Sequence, residues 1–215
     1  MRPDTLVLAF DTSAAHCAAA LLSGDRLLVL RHEAMDKGQA ERLLPLLDDV
    51  LTEAGVAWPD LTALAVGTGP GNFTGVRIAV AAARGLALSL GVPAIGVTTL
   101  DARAYGLPRP LAVVEDARRG EIYLQEFGTE PDSARVTTLA ALPREAMHDR
   151  FTGSAAEAAA AATGGSAVAQ PVPLVEAIAR IAATRLGTAQ PRPAPFYLRG
   201  ADAAPPSDPP PVILP

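Results

Sequence analysis

A chain of 215 residues, of which 49% are hydrophobic, is long enough to bury a sizeable core in one compact unit or two small lobes. Its formal net charge of −5 argues against tight autonomous binding to nucleic acid, which requires a positive surface. Cys17 is the single cysteine, so an internal disulfide is excluded. We expect neither a signal peptide nor an apolar span near 20 residues, and the sequence therefore predicts a cytoplasmic protein.

The first part of the chain is typical of three short strands followed by a helix. Strands are predicted at residues 5–10, 17–22 and 26–30, separated by turn-forming residues, which indicates an antiparallel meander. A helix is predicted over residues 40–54 because apolar residues recur there at intervals of three and four. Gly55 ends that pattern.

A glycine-rich run, GTGPGNFTGVR at residues 67–77, separates a predicted strand at 63–67 from a predicted helix at 74–90. Glycine allows close backbone approach, and a helix N-terminus after such a turn can hold an anion. A dinucleotide fingerprint would need glycine at Asn72, however, and no Gly-Lys-Ser/Thr follows. Two interpretations stay open here, a tight structural turn and a nucleotide site. A strand at 93–97 completes a parallel strand-helix-strand unit.

The second part of the chain begins at a proline-rich boundary, which predicts lobes at residues 1–107 and 108–199. Strands are predicted at 111–115 and 122–127. A helix capped by Ser154 and Glu157 is predicted to end at Gly164, and another is predicted to run from Pro173 to Gly187. Residues 200–215 are rich in proline, and we expect a disordered tail there.

Groups suited to catalysis are scarce. The three histidines are not at metal-ligand spacing, no cysteine pair exists, and no GxSxG nucleophile motif is present. His16 and Cys17 are adjacent in a predicted strand, so their side chains point to opposite faces. No catalytic, cofactor-binding or metal-binding residue is predicted.

The glycine-rich run resembles the GxGPGxFTGVR signature of the TsaB family, the bacterial partner proteins in the synthesis of threonylcarbamoyladenosine on tRNA. Other similar segments are LVLAFDTS at 6–13, ERLLP at 41–45, PAIGVTTL at 93–100, DARRGEIY at 116–123 and YLR at 197–199. One departure is Gln39-Ala40-Glu41, where the family usually has His-Ser-Gln. The resemblance implies an α/β fold of the actin-like and sugar-kinase-like (ASKHA) class, with a mixed sheet and flanking helices in each lobe and a reduced second lobe.

A comparison with TsaD, the catalytic relative of this family, implies that the active site is degenerate. Its HxxxH metal ligands correspond to Thr99 and Arg103, and neither side chain suits a cation, since a guanidinium has no lone pair to offer. Its second phosphate-binding turn corresponds to residues 115–119, which lack a glycine pair. The resemblance therefore implies a protein that is not an enzyme and holds no cofactor.

The helix at 75–90 is apolar on nearly all sides, which leaves two alternatives, burial under the helix at 40–54 alone or contact with a partner. The resemblance implies that both helices pack against the equivalent pair of TsaD. The interface residues expected from it are Leu43, Leu47, Arg77, Ala79, Ala83, Arg84 and Ala87. A possible second contact comprises Asp116, Arg118, Tyr197 and Arg199.

The function implied by the resemblance is that of a non-catalytic scaffold. It binds TsaD, and with it the ATPase TsaE, for threonylcarbamoyl transfer to the adenosine beside the anticodon in tRNAs that read codons beginning with A. We expect contact with tRNA only through the complex, a homodimer in isolation, and no membrane. The alternatives are an M22-like glycopeptidase, which needs a metal or a nucleophile, and a sugar-kinase-like ATPase, which needs a nucleotide site.

Overall fold

The computed structural model describes residues 5–129, 132–142 and 149–199. The predicted tail at 200–215 lies outside the described residues.

The first sheet has five strands in the order β3-β2-β1-β4-β5. β1 pairs antiparallel with β2 and parallel with β4, and β4 pairs parallel with β5, so the predicted meander and parallel unit are confirmed. β3 is longer than predicted because its pairing with β2 continues through polar residues such as Glu33. The strands are β1 (Leu6–Asp11), β2 (His16–Ser23), β3 (Arg26–Ala34), β4 (Ala63–Gly67) and β5 (Ala94–Val97).

Three helices belong to this first part of the chain: α1 (Gln39–Ala54), α2 (Phe73–Leu90) and α3 (Thr99–Ala104). α1 ends at Gly55, whose φ of 66° is accessible to glycine. α1 and α2 cover one face of the sheet, where Phe10 and Leu64 are fully buried. Helix α3 was not predicted, because it is only six residues long.

The second sheet also has five strands, in the order β10-β9-β6-β7-β8. The two strands predicted in this part of the chain are confirmed as β6 and β7, which pair antiparallel, whereas the three short strands were not predicted. The elements are β6 (Leu111–Asp116), β7 (Glu121–Phe127), β8 (Arg135–Thr138), β9 (Arg150–Thr152), α4 (Ala156–Thr163), β10 (Ser166–Ala167) and α5 (Leu174–Thr184).

The predicted start of α4 is wrong. The residue at its N-cap is Ala155, which makes no side-chain cap, so Ser154 and Glu157 do not form a capping box. The physical reason is that the Ser154 side chain hydrogen-bonds elsewhere, because its hydroxyl donates to Glu115 Oε2 at 2.7 Å. The predicted end at Gly164 is confirmed.

Helix α5 follows the second sheet in the chain but packs on the first sheet. Ile178 and Ala182 lie in a buried cluster with Val7 and Ile95, on the face opposite α1 and α2. Arg180 reinforces this packing, since its Nη1 donates to the Asp25 carbonyl at 3.1 Å. The lobe boundary at 107/108 stays a prediction, and α5 packs across it.

By length and composition alone, α2 is apolar enough to cross a membrane, with 18 residues and a mean hydropathy of 1.4. The expectation that no such segment exists is therefore wrong. Core helices pass the same test, and α2 contributes Val76, Ala79, Val80 and Ala83 to the buried cluster beneath it.

Candidate functional site

The turn after β1 is organised around Asp11, whose side chain is fully buried. Its Oδ2 accepts hydrogen bonds from the Ser13 amide at 3.1 Å and the Ser13 hydroxyl at 2.8 Å. His16 Nε2 lies 2.7 Å from the same oxygen. The other oxygen, Oδ1, has no hydrogen-bond partner within the described part of the chain, and it lies so close to Gly67 that any Cβ there would overlap it.

The glycine-rich turn after β4 interlocks with this first turn. A Cβ on Gly71 would overlap the Ser13 carbonyl, and one on Gly75 would overlap the Thr12 carbonyl. Polar contacts join the same pieces, because Thr12 Oγ1 donates to the Gly75 carbonyl at 2.7 Å and the Asn72 amide donates to the Ser13 carbonyl at 2.6 Å. These glycines are thus required by backbone packing, with no ligand involved.

The N-terminus of α2, which sequence analysis considered as an anion site, is capped by its own chain. Asn72 Oδ1 accepts from the Thr74 amide at 3.0 Å and from the Gly75 amide at 3.1 Å. Two of the amides that a phosphate would use therefore already have an acceptor. This geometry favours the structural interpretation of the glycine-rich turn.

A cleft of about 920 Å³ lies between the two sheets. The first part of the chain lines it with the turns after β1 and β4, including Ser13 and Phe73. The second part contributes Asp116 and Arg118, and residues 196–199 complete the lining. The cleft occupies the place between lobes where a two-lobed fold can hold a ligand.

An ion pair ties the two parts of the chain together in this cleft. Arg103 Nε donates to Glu115 Oε1 at 2.7 Å, and Arg103 Nη1 donates to Gln170 Oε1 at 3.0 Å. Glu115 also accepts from Ser154, so both of its carboxylate oxygens are engaged. Nearby Thr99 is buried, and its hydroxyl has no hydrogen-bond partner among the described residues.

No group of three or more His, Cys, Asp or Glu side chains that could hold a metal ion occurs within residues 5–129, 132–142 and 149–199. Thr99 and Arg103, which the resemblance matches to metal ligands of TsaD, both line the cleft. The arginine places a fixed positive charge there, which repels a cation.

The turn between β6 and β7 has a constrained backbone at the edge of the cleft. Arg118 and Arg119 are non-glycine residues with φ of 63° and 54°, a region that such residues rarely adopt. Asp116 Oδ1 accepts from the Arg118 amide at 2.8 Å and holds the turn. Both arginine side chains are exposed, so the turn presents positive charge to solvent.

Phe73, Arg77 and Tyr197 form one exposed cluster, which we call the aromatic-arginine patch. The Arg77 guanidinium carbon lies 3.5 Å from the Phe73 ring centroid, and Arg77 Nε donates to the Tyr197 hydroxyl at 2.8 Å. Phe73 is 43% exposed and Tyr197 is 44% exposed. Arg77 and Tyr197 were expected in separate contacts, and Phe73 was not predicted to take part in either. Arg199, the neighbour expected to act with Tyr197, is instead paired with Glu121.

Four of the expected interface residues lie in the core, which corrects their assignment to the surface. Leu43, Leu47, Ala79 and Ala83 are at most 1% exposed in the cluster between α1, α2 and the first sheet. Ala79 and Ala83 face the chain's own sheet, which the sequence could not reveal because α2 is apolar on nearly all sides. Arg77 is exposed, while Arg84 and Ala87 are partly exposed.

The outer side of α2 carries a different set of side chains, which sequence analysis missed. Ala81 and Gly85 are exposed there, and Leu88 is 84% exposed, the highest value among the large hydrophobic residues that the structure describes. Leu44 of α1 adds another apolar side chain at 47% exposure. A partner, if one binds α2, must contact this outer side.

Cys17 and the start of α1 account for the clearest pKa shifts. Burial raises the pKa of the Cys17 thiol to about 11, which suppresses the reactive thiolate. Cys17 lies in the core and His16 is partly exposed, so their predicted opposite orientation is confirmed. Hydrogen bonds from Arg42, both at 2.7 Å, lower the pKa of Glu33 and raise that of Arg42.

Two mixed five-stranded sheets with flanking helices define a two-lobed α/β protein of the actin-like (ASKHA) class. The activator of 2-hydroxyisocaproyl-CoA dehydratase from Clostridium difficile shares this fold, with a TM-score of 0.54 over 84% of this chain and 95% of that chain at 9% identity. Residues 33–191 match the family model described as "TsaD: tRNA N6-adenosine threonylcarbamoyltransferase".

Individual relatives show which family of this fold class the chain belongs to. The "tRNA threonylcarbamoyladenosine biosynthesis protein TsaB" of Escherichia coli (strain K12) is 37% identical over 75% of this chain and 72% of its own length. "YeaZ from Pseudomonas aeruginosa" is 30% identical, with a TM-score of 0.72 over 90% of this chain and 100% of that chain. The chain belongs to the TsaB family. It spans 54% of the TsaB protein of Haemophilus influenzae, about half of that relative's length.

Proposed function

We propose that this chain is a non-catalytic subunit that binds TsaD, with TsaE as a further partner, in the synthesis of threonylcarbamoyladenosine on tRNA. The observation that carries this proposal is the cleft. By the resemblance to TsaD, Arg103 corresponds to a metal ligand of the catalytic relative, and in this chain its Nε is 2.7 Å from Glu115 Oε1. A guanidinium engaged in this way neither coordinates a metal nor leaves the carboxylate free to do so.

The membership of the TsaB family supports the assignment to this pathway, since its curated relatives are named for that biosynthesis. The net charge of −5 is consistent with tRNA being contacted through the complex. A cytoplasmic location, where tRNA is modified, is part of the proposal.

The outer side of α2 is the surface that we assign to TsaD. The N-terminal half of this side carries the contact: the exposed Ala81 offers apolar surface and the aromatic-arginine patch supplies side chains common in binding hot spots, whereas Leu88 at the C-terminal end lies outside the assigned surface. We propose that an isolated chain forms a homodimer through the same side of α2, so the homodimer and the complex with TsaD exclude each other. Light scattering should show that added TsaD dissolves the homodimer.

The test combines the chain with TsaD and TsaE from the same genome and measures threonylcarbamoyladenosine in tRNA. We expect product only when TsaD and this chain are both present. Ala81→Arg should abolish TsaD binding, because a long charged side chain separates the two surfaces. Ala158→Arg, at an exposed position of α4, is the matched control and should bind normally. Modified tRNA from this chain alone, or normal binding by Ala81→Arg, would contradict the proposal.

A titration with ATP and magnesium addresses the rival ATPase function. The isolated chain should give no saturable heat, because Asn72 occupies the amides at the start of α2. A stoichiometric site of micromolar affinity, on the order of −8 kcal/mol, would overturn the non-catalytic assignment.

A further inference from the structure

A second groove, of about 760 Å³, lies at the C-terminal end of α2, where α2 meets the segment that follows α5. Arginines at positions 84, 185 and 192 line it, and none of the described residues lining it is Asp or Glu. This is unusual in a chain whose net charge is −5. The groove is therefore a local positive surface on an acidic protein.

The groove combines this charge with apolar surface. Leu88, Val92 and Leu186 contribute to its lining, and Leu88 is 84% exposed. Arg185 already donates to the Gly96 carbonyl at 3.1 Å and pairs with Asp101 at 3.4 Å, so the charge open to an occupant comes from the other two arginines; Arg84 Nε is buried and has no hydrogen-bond partner in the described part of the chain. A matching occupant would bring carboxylates and a short apolar stretch together.

We propose that residues 200–215 of the same chain bind in this groove. The sequence of this segment contains Asp202 and Asp208, no Lys or Arg, and the apolar run Val212-Ile213-Leu214. It supplies the carboxylates that the groove lining lacks, which pair with Arg84 and Arg192, and its apolar run matches the apolar part of the groove and covers Leu88. Docking removes an isolated leucine from water and gives the partly exposed Arg84 guanidinium an acceptor.

The chain length allows this return. Arg192 lines the groove and Arg199 is the last described residue before the segment, so seven steps of 3.80 Å limit their separation to about 27 Å. Fourteen residues lead from Arg199 to Ile213, which span about 43 Å even at the 3.1 Å per residue of a polyproline helix. Because the segment is tethered, its effective concentration is in the millimolar range, and weak contacts suffice.

Disulfide trapping in the full-length chain tests the placement. Cys17 is the single cysteine and is buried, so two introduced thiols can be followed without interference. Leu88→Cys combined with Ile213→Cys should form an intramolecular disulfide about tenfold or more faster than the control pair Leu44→Cys and Ile213→Cys. Leu44 is a suitable control because it is 47% exposed and lies outside the groove lining. Equal rates for the two pairs, or cross-linked dimers in place of the intramolecular product, would overturn the proposal.

A second arm tests the charges. In the chain carrying Leu88→Cys and Ile213→Cys, either the change Arg84→Gln with Arg192→Gln or the change Asp202→Asn with Asp208→Asn should slow trapping by at least about threefold, and high salt should do the same. Arg26→Gln, at an exposed arginine of β3, is the control and should leave the rate unchanged. Rates that respond no more to the groove arginines than to Arg26 would show that charge does not guide the segment and would overturn the pairing.

Discussion

Arginine introduced at Ala83 and at Ala81 should distinguish the inner side of α2 from its outer side. Ala83 is fully buried in the cluster shared by α1, α2 and the first sheet. Overpacking costs about 1–3 kcal/mol, and a buried charge without a partner adds several more, so we expect Ala83→Arg to lose about 4 kcal/mol or more. For a chain of this size, that loss lowers the melting temperature by roughly 8–16 °C.

Ala81→Arg is the matched control, since it places the same side chain two residues away on the same helix at an exposed position. Surface changes of this kind stay within about 0.5 kcal/mol, so its melting temperature should remain within about 2 °C of the parent. Thermal and urea unfolding followed by circular dichroism measure both variants. A melting temperature of Ala83→Arg equal to that of Ala81→Arg would refute the placement of Ala83 in the core.

Three further variants or conditions probe the turns, the thiol and the ion pair. Gly75→Ala should destabilise the fold by about 2 kcal/mol or more in urea unfolding, because its Cβ overlaps a backbone carbonyl. Gly85→Ala has open space around it and should stabilise α2 by about 0.5–1 kcal/mol. The reverse order of stabilities would contradict the interlocked turns. Cys17 should resist thiol reagents at pH 8 until the protein unfolds, and rapid labelling of the folded protein would refute this. Because the pKa of its thiol is higher in the folded state, its contribution to stability is present below pH 9 and should decline as the pH rises through about 11. Arg103→Gln should lower the free energy of unfolding by about 1 kcal/mol in the parent chain, and by much less in a chain that already carries Glu115→Gln. Additive losses in this double-mutant cycle would argue against coupling between the two residues.

The order of elements in the first sheet follows from local signals in the sequence. Alternating apolar residues, glycine stops and the βββαβαβ order predicted four of its five strands to within one residue at each end, together with both long helices. Short elements such as α3 and β8 carry too few residues for a period to emerge. The packing of α5 on the first sheet has no local signature, because its apolar side would suit either sheet equally.

The candidate site was only partly predictable, because contacts between residues far apart in the sequence leave no local signal. The resemblance to TsaD singled out Thr99 and Arg103 as residue types unsuited to a cation, but the partner of Arg103 lies 12 positions away at Glu115 and emerges only from the fold. The contacts of the aromatic-arginine patch join residues even farther apart in the sequence, since Arg77 and Tyr197 are separated by 120 positions. Which side of α2 is buried also depends on the sheet beneath it.

The interlocked turns explain why a glycine-rich run of this kind does not by itself identify a nucleotide site. Thr12 and Ser13 approach Gly71 and Gly75 so closely that a side chain at either glycine would collide with backbone atoms. That constraint acts on the folded chain whether or not a phosphate is bound. Asn72 meanwhile supplies from within the chain the acceptor that a phosphate would provide from outside. Selection for folding alone is therefore enough to retain such a turn, and evidence for a ligand has to come from groups that the packing does not already use.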